Sequence, residues 1–313
     1  MKALVATDYG SPPSNLEVTE VPDPVPGPGE LLVRIEAAAL NPIDLKLITG
    51  VLKDVMPVTF PHLIGMDGSG TVAGLGEGVA GYAEGDPIVG FFHNHPGTVA
   101  EYALIEEGPA VVARPAALDA VHAAAIPESG LTALMLLGAA ELQPGEVVLV
   151  IGATGGIGLF LVQLAAAAGA QVIATARGEE DVDYVRGLGA AEVVDYKDAD
   201  AVQQTLELHP DGVDVVFDMV NLGDAVTASA RAAREGGRLV SPLRGPEDLG
   251  RNVAAMYPGS MSPRPGELER LVAQVAEGKL KVEVSHTYTL DESPRAMADF
   301  AEKHKRGKFV ITA

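Results

Sequence analysis

Six residues near the middle of the chain, Ala153-Thr154-Gly155-Gly156-Ile157-Gly158, have the spacing of a dinucleotide-phosphate loop, G-x-G-x-x-G with Ala in the first place. That chemistry requires small residues. The chain must turn tightly, let a pyrophosphate approach the backbone, and bring a helix close to a strand. A helix starting there offers free N–H groups and a positive dipole end to the phosphates. The alternative is a tight turn without a ligand, and the surrounding elements decide between the two. A second group stands past the next apolar run. An NAD site usually carries Asp or Glu at that strand tip, accepting from the ribose hydroxyls. Here the tip reads Thr175-Ala176-Arg177-Gly178, with Glu179, Glu180 and Asp181 directly after it. Arg177 can grip a 2′-phosphate in bidentate fashion, which points to NADP(H). The following acids compete for it, and a solvated surface arginine is the alternative. His93-Asn94-His95 could suggest a metal, but a catalytic zinc needs three protein ligands and no third is evident, so a loop is expected. The chain has no cysteine, which excludes disulfides, thiolate metal sites and cysteine nucleophiles.

The elements that must position these residues can be read around them. The stretch VLVIGATGGIGLFLVQLAAAAGAQVIATAR is nearly uncharged and about long enough to cross a bilayer, which takes roughly 20 apolar residues. Gly152, Gly155, Gly156 and Gly158 argue against one continuous helix, since each costs about 1 kcal/mol relative to Ala. Strand VVLVIGA, a glycine turn, helix IGLFLVQLAAAAG and strand QVIATA make a βαβ unit instead. Helix EEDVDYVRGLG, strand EVVDY, helix DAVQQTLELH, strand VDVVFDMV, helix DAVTASARAAREGG and strand RLVSPL continue the alternation. NVAAMY reads as a sixth strand and GELERLVAQVAEG as another helix. This order predicts an α/β fold with a doubly wound parallel sheet. Ligands sit at strand ends in that architecture, so Val220 and Leu243, at the ends of the fourth and fifth strands, are expected to line the nicotinamide pocket. The segments FFHNHPGTV and MYPGSMSPRPG are expected to add pocket residues.

The first hundred residues differ. MKALVAT, LEVTEV, ELLVRIEAAAL, GSGTVAGLG, DPIVGFF and TVAEYALI are short strand-like runs separated by Pro and Gly turns. The composition changes near Leu118, where LDAVHAAAIPESGLTALMLLGAAEL reads as two helical pieces. KVEVSHTYTL, SPRAMADFAEKHKRG and KFVITA return to mixed character and are expected to rejoin the β-rich part. The expected domains are therefore 1–120 with 281–313, and 121–280. A chain of 313 residues that is 47% hydrophobic is globular and long enough for two domains. Its net charge of -21 would repel nucleic acid and anionic lipid, so neither is an expected partner. The N-terminus MKALVATDYG lacks the long apolar stretch of a signal peptide, so a soluble cytoplasmic protein is expected.

Several further runs occur in order: NPIDLKLITG (41–50), HLIGMDGSGTVAGLGEGVAGYAEGD (62–86), AEYALI (100–105), ESGLTALMLL (128–137) and the glycine turn. Together they resemble, over nearly the whole chain, the zinc-independent quinone oxidoreductase branch of the medium-chain dehydrogenase/reductase superfamily. The likeness is greatest to the N-P-x-D-x-K subgroup, which includes alkenal and enone oxidoreductases beside zeta-crystallin-type quinone reductases. The resemblance implies a GroES-like β domain, a Rossmann domain, an active-site cleft between them, NADPH as cofactor, and a homodimer. Zinc relatives carry a catalytic Cys, a Gly-His-Glu segment and a four-Cys lobe. This chain has Gly65-Met66-Asp67 where Gly-His-Glu would stand, so no zinc is expected. Residue by residue, the resemblance implies that Asn41 hydrogen-bonds near the nicotinamide or substrate oxygen and that Asp44 fixes the loop. Lys46 would lie near the nicotinamide ribose, where it could donate to a carbonyl oxygen as charge develops. Thr132 would sit at the nicotinamide end and Tyr196 near the adenine ribose phosphate. The lysine that some relatives place on the 2′-phosphate falls at Asp181 here. The implied reaction is NADPH-dependent hydride transfer to a quinone or an α,β-unsaturated carbonyl. An enoyl-thioester reductase and a non-catalytic NADPH-binding protein are the alternatives. The first would need a basic patch that the sequence does not show, and the second would not need Asn41, Asp44 and Lys46.

Overall fold

The computed structural model describes every residue except Pro96, Asp198, Ala199, Ser260 and 303–305. One residue of FFHNHPGTV, one of MYPGSMSPRPG and the end of the expected helix SPRAMADFAEKHKRG therefore lie outside the described residues. The chain divides into two compact units, residues 1–128 with 263–313, and residues 129–262. Among the described residues, no helix is long and apolar enough to cross a membrane.

The first unit begins with β1 (Lys2–Ala6), β2 (Leu16–Glu20), β3 (Glu30–Ala39), α1 (Pro42–Ile48), β4 (His62–Leu63), β5 (Asp67–Leu75), β6 (Pro87–Phe91), β7 (Tyr102–Glu106), β8 (Val111–Ala113) and α2 (Ala120–Ala124). Helix α3 (Pro127–Ala140) leads into the second unit. That unit holds β9 (Val147–Ile151), α4 (Gly156–Ala167), β10 (Gln171–Ala176), α5 (Glu179–Gly187), β11 (Glu192–Asp195), α6 (Ala201–Leu208), β12 (Val213–Asp218), α7 (Ala225–Ala230), β13 (Ala233–Val240) and β14 (Ala254–Met256). The chain then returns to the first unit with α8 (Glu267–Ala276), β15 (Val284–Thr289), α9 (Ser293–Glu302) and β16 (Lys308–Thr312).

In the first unit, β15, β16, β3, β5, β6 and β8 pair in that order, and β7 also pairs with β3. A smaller sheet has the order β2-β1-β4. Most pairings are antiparallel; β15 with β16 is parallel. Period-2 patterning explains the arrangement. On β3, Leu31, Val33 and Ile35 turn inward to a core that also holds Leu4, Phe92 and Phe309. Strand β16 closes the sheet on β3 through Val310 opposite Ala39, so the last residues of the chain complete a sheet begun by the first forty.

The second unit is a six-stranded parallel sheet of order β11-β10-β9-β12-β13-β14. This is a Rossmann arrangement with β9 as its first strand. Val148, Leu149 and Val150 are fully buried, as a central strand covered on both faces requires. Helix α4 is apolar all round and buries Leu159, Phe160, Leu161 and Val162. Each such side chain contributes about 1.5–3 kcal/mol of burial. Its Gln163 satisfies itself by donating to the Leu159 carbonyl at 2.9 Å.

One expected element differs. The alanine-rich stretch DAVTASARAAREGG is not one helix. α7 stops at Ala230, and β13 begins at Ala233. Ala233 is drawn to the sheet edge opposite Val213, and the next pairing, Val215 with Arg238, skips the residues between as a bulge. Val213 N–H donates to the Ala232 carbonyl at 2.9 Å. Alanine's helix propensity is a preference of tenths of a kcal/mol per residue, which sheet pairing and burial override.

Candidate active site

In the first unit, the candidate residues lie on and around α1. Its N-cap Asn41 has extended backbone and Pro42 occupies the first helical position, where a missing N–H costs nothing. Three residues later the Asp44 carboxylate reaches back and accepts the Asn41 N–H at 2.7 Å. Asp44 is buried, and that burial pushes its carboxyl from 3.8 to about 7, against the lowering effect of the Asn41 hydrogen bond. Lys46 lies two residues on, about 200° around the helix. It is half-buried, and loss of water lowers its pKa, while the charge of Glu128 acts in the opposite sense.

Asn41 sits in a fully buried polar cluster. Its amide Nδ2 donates to Asp67 Oδ2 at 3.0 Å, and its Oδ1 accepts from Lys308 Nζ. Lys308 Nζ also donates to Asp67 Oδ2 at 3.3 Å. The other oxygen of Asp67 accepts the Glu128 N–H at 2.9 Å. Burial raises the Asp67 carboxyl, while Lys308 and its hydrogen bonds lower it. Both atoms of the Asn41 amide are thus engaged inside the protein. By sequence Asp67 stands only where the Glu of Gly-His-Glu would be, and Lys308 only opens the strand-like run KFVITA. A lysine opening the apolar run KFVITA is the one signal that could have marked it.

The second unit, by itself, holds the glycine turn. Gly155 caps α4, and Gly156, Ile157 and Gly158 form its first turn. A Cβ on Gly158 would overlap the Gly152 carbonyl oxygen and stand 2.7 Å from Cα of Ala153. The helix start therefore approaches the strand end as closely as backbone allows. Thr154 is buried beside it, and the Gly152 N–H is held by Thr175 Oγ1 at 3.0 Å. Val220 stands over the turn, its Cγ2 2.9 Å from where a Gly152 Cβ would be. It is 60% exposed, two residues beyond β12. Buried Asp218 shapes that loop by accepting the Val220 and Asn221 N–H groups at 2.9 and 3.0 Å. Leu243 lies three residues past β13, its N–H donated to Ser241 Oγ at 3.0 Å. The two loops meet where Gly223 N–H donates to the Arg244 carbonyl at 3.0 Å.

Arg177 is exposed immediately after β10. Tyr196 follows β11 and its N–H donates to the Ala176 carbonyl at 3.1 Å. The Tyr196 phenol is raised by burial, then by the charge of Asp181, and lowered by that of Arg177, so these side chains share one patch. Thr132, buried on α3, donates to Met261 Sδ at 3.6 Å. The second unit thus gathers the turn, Val220, Arg177 and Tyr196 at the carboxyl ends of its strands, and α1 carries Asn41, Asp44 and Lys46. His93 and His95 do not build a metal site: His95 pairs with Glu30 at 2.7 Å, and His93 bonds the Phe91 carbonyl at 3.2 Å.

A profile described as the alcohol dehydrogenase GroES-like domain matches residues 27–116, and one described as zinc-binding dehydrogenase matches residues 188–311. The second description names zinc, but a chain without cysteine cannot build a thiolate centre. Among the described residues no group of three or more His, Asp or Glu could hold a metal ion. The chain is 32% identical to a chloroplast envelope quinone oxidoreductase homolog of Arabidopsis thaliana, over 99% of this chain and 98% of that one. It is 28% identical to an NADPH-dependent alkenal/one oxidoreductase of the same plant, over 99% of this chain and 79% of the relative. The solved quinone oxidoreductase of Coxiella burnetii superposes with a TM-score of 0.88 at 31% identity, covering 100% of this chain and 99% of that one. On this likeness and on its paired GroES-like and Rossmann folds, the chain belongs to the medium-chain dehydrogenase/reductase superfamily, among the quinone oxidoreductases, and is an oxidoreductase.

Proposed function

We propose that the protein is an NADPH-dependent reductase of quinones or α,β-unsaturated carbonyls that works without a metal. The observation that carries this reading is Lys46, a half-buried ammonium on α1 in a chain that has no cysteine to bind a catalytic zinc. The dinucleotide fits the second unit. Gly158 lets the start of α4 close on the backbone of Gly152 and Ala153, that helix start offers its N–H groups to a pyrophosphate, and Arg177 takes a 2′-phosphate. Thr132, Val220 and Leu243 are assigned to the nicotinamide end, and Tyr196 to the adenosine end. NADPH, when bound, supplies a hydride.

The chain's own residues then handle the oxygen. When hydride adds to the β-carbon of an enone, an electron pair moves onto the carbonyl oxygen. Lys46 donates a hydrogen bond to that oxygen and then its proton, giving the enol, and recovers a proton from water. For a quinone, the same hydride and proton give the hydroquinone. Burial lowers the Lys46 pKa, which makes its proton easier to give, and the Glu128 charge keeps the ammonium form populated. Asn41 and Asp44 position α1. An activated acceptor suits such a site, because an ordinary carbonyl relies on a Lewis acid to polarise it.

The test is NADPH consumption by the purified protein with EDTA present, against one small quinone and one small enone. Rapid turnover of either is expected. Lys46→Ala should lower kcat roughly 10²- to 10⁴-fold while the NADPH Kd holds within about twofold. Equal turnover in the variant would remove Lys46 from the mechanism, and no turnover with either acceptor would remove the reductase reading.

A further inference from the structure

We propose that Asp67, Asn41 and Lys308 form a positioning hub, a buried three-residue junction that sets where Lys46 stands. The inference rests on the reading of Lys46 as proton donor. Three points distant in sequence meet at Asp67. Oδ2 takes Asn41 Nδ2 at 3.0 Å and Lys308 Nζ at 3.3 Å, while Oδ1 takes the Glu128 N–H at 2.9 Å. Asp67 and Asn41 are 0% exposed and Lys308 4%. The hub therefore ties together the N-cap of α1, the start of β5, the first turn of α3 and the start of β16.

The charges dictate the geometry. An ammonium on one side of the Asn41 amide and a carboxylate on the other leave a single orientation, with Oδ1 toward Lys308 and Nδ2 toward Asp67. The Asn41 backbone is held as well, its N–H by Asp44 at 2.7 Å. The entry to α1 is thus clamped through both side chain and main chain, and Lys46 lies on the second turn of that seven-residue helix. Glu128, whose charge acts on Lys46, starts its helix from the other oxygen of the same Asp67. One carboxylate therefore places both members of the Lys46–Glu128 pair. A buried ion pair is a poor source of net stability, since an apolar replacement of similar volume often serves as well, but it specifies one arrangement. These three side chains are positioning residues, since none is placed on the reacting atoms.

The test compares Lys308→Met and the double variant Asp67→Asn/Lys308→Met with the wild type in the acceptor assay. The double variant removes both charges together and leaves no orphan charge to unfold the protein, so it carries the test if the single variant does not fold. In the folded variant, kcat should fall roughly 10- to 100-fold, the cost of a misplaced catalytic group. The NADPH Kd should stay within about twofold. The basic limb of the kcat–pH profile should move to lower pH, because a displaced Glu128 no longer supports the Lys46 ammonium. A folded double variant with wild-type kcat and an unmoved basic limb would overturn the hub. Lys46→Ala in the same assay separates the two readings. If Lys46→Ala is slow and the double variant is fast, only the hub fails. If Lys46→Ala is fast, the donor reading fails and the hub's role goes with it.

Discussion

Arg177 shows how far a single residue can decide chemistry. It stands exposed at the tip of β10, where an acid would favour NADH by accepting from ribose hydroxyls. Its neighbours are mixed: Asp195 accepts the Gly178 N–H at 3.1 Å, which ties the following turn to β11, and Asp181 is buried nearby. A guanidinium here offers two parallel donors and a full positive charge to a phosphate. Arg177→Ser should lower kcat/KM for NADPH about 10- to 100-fold, the value of one charge-assisted pair, and change that for NADH by less than about threefold. Equal losses with both cofactors would show that Arg177 acts on the fold of the turn and not on the 2′-phosphate. Arg177 was legible in sequence because its position depends only on the strand that precedes it. The junction of Asp67 with Lys308 was not legible, because the two residues stand 241 positions apart.

At the scale of elements, the glycine turn makes a sharper statement than its motif. The four glycines do not bear equal loads. Gly158 has no room for a methyl group, which would meet the Gly152 carbonyl and Cα of Ala153. At Gly155 the nearest atom to an added Cβ is the Gly152 oxygen at 3.4 Å, an ordinary contact, and its φ of -77° suits any residue. Gly158→Ala should therefore cost about 1–3 kcal/mol, as overpacking does, and displace α4 from β9. Gly155→Ala should cost about 1 kcal/mol or less, the difference between Gly and Ala as an N-cap. Urea unfolding of the two variants checks the ranking, and similar losses would mean that α4 does not approach the strand as closely as the structure has it. The βαβ reading of this segment was available from sequence because glycine clustering and β-branched runs are local. The end of α7 was not, because the strand that replaces the expected helix exists only through its pairing with β12.

At the scale of the whole molecule, two buried carboxylates, Asp44 and Asp67, make stability depend on pH. Asp44 has its carboxyl pushed up to about 7 from 3.8 by burial. Its folded value lies above its unfolded one, so folding takes up a proton between them. The stabilisation is complete below about pH 4 and is lost as pH rises through about 7. Glu146 and Asp214, held below their usual range with help from Arg238 and Arg234, act in the opposite sense, so the wild type alone does not isolate the effect. The comparison is with Asp44→Asn, which keeps an oxygen for the Asn41 N–H. The stability of the wild type relative to this variant should decline steadily across that window, as read by denaturant unfolding at several pH values. A difference independent of pH would mean that Asp44 titrates as an ordinary carboxylate.

The sequence by itself determined most elements of the second unit and the positions of its candidate ligand residues. Strand and helix periods, the glycine turn and the charge at a strand tip are set within about twenty residues, where sterics and burial on one face leave few options. It also carried α1, through Pro42 at the helix start and Asp44 three residues after Asn41. The tertiary structure alone decided what stands behind α1. Asp67 and Lys308 are separated by 241 positions, and they meet because β16 pairs with β3, which in turn pairs with β5. Sheet pairing over such distances depends on which apolar faces can be buried together. Only the folded chain brings the ammonium of β16 to the side-chain amide of Asn41, the residue that precedes the helix of Lys46.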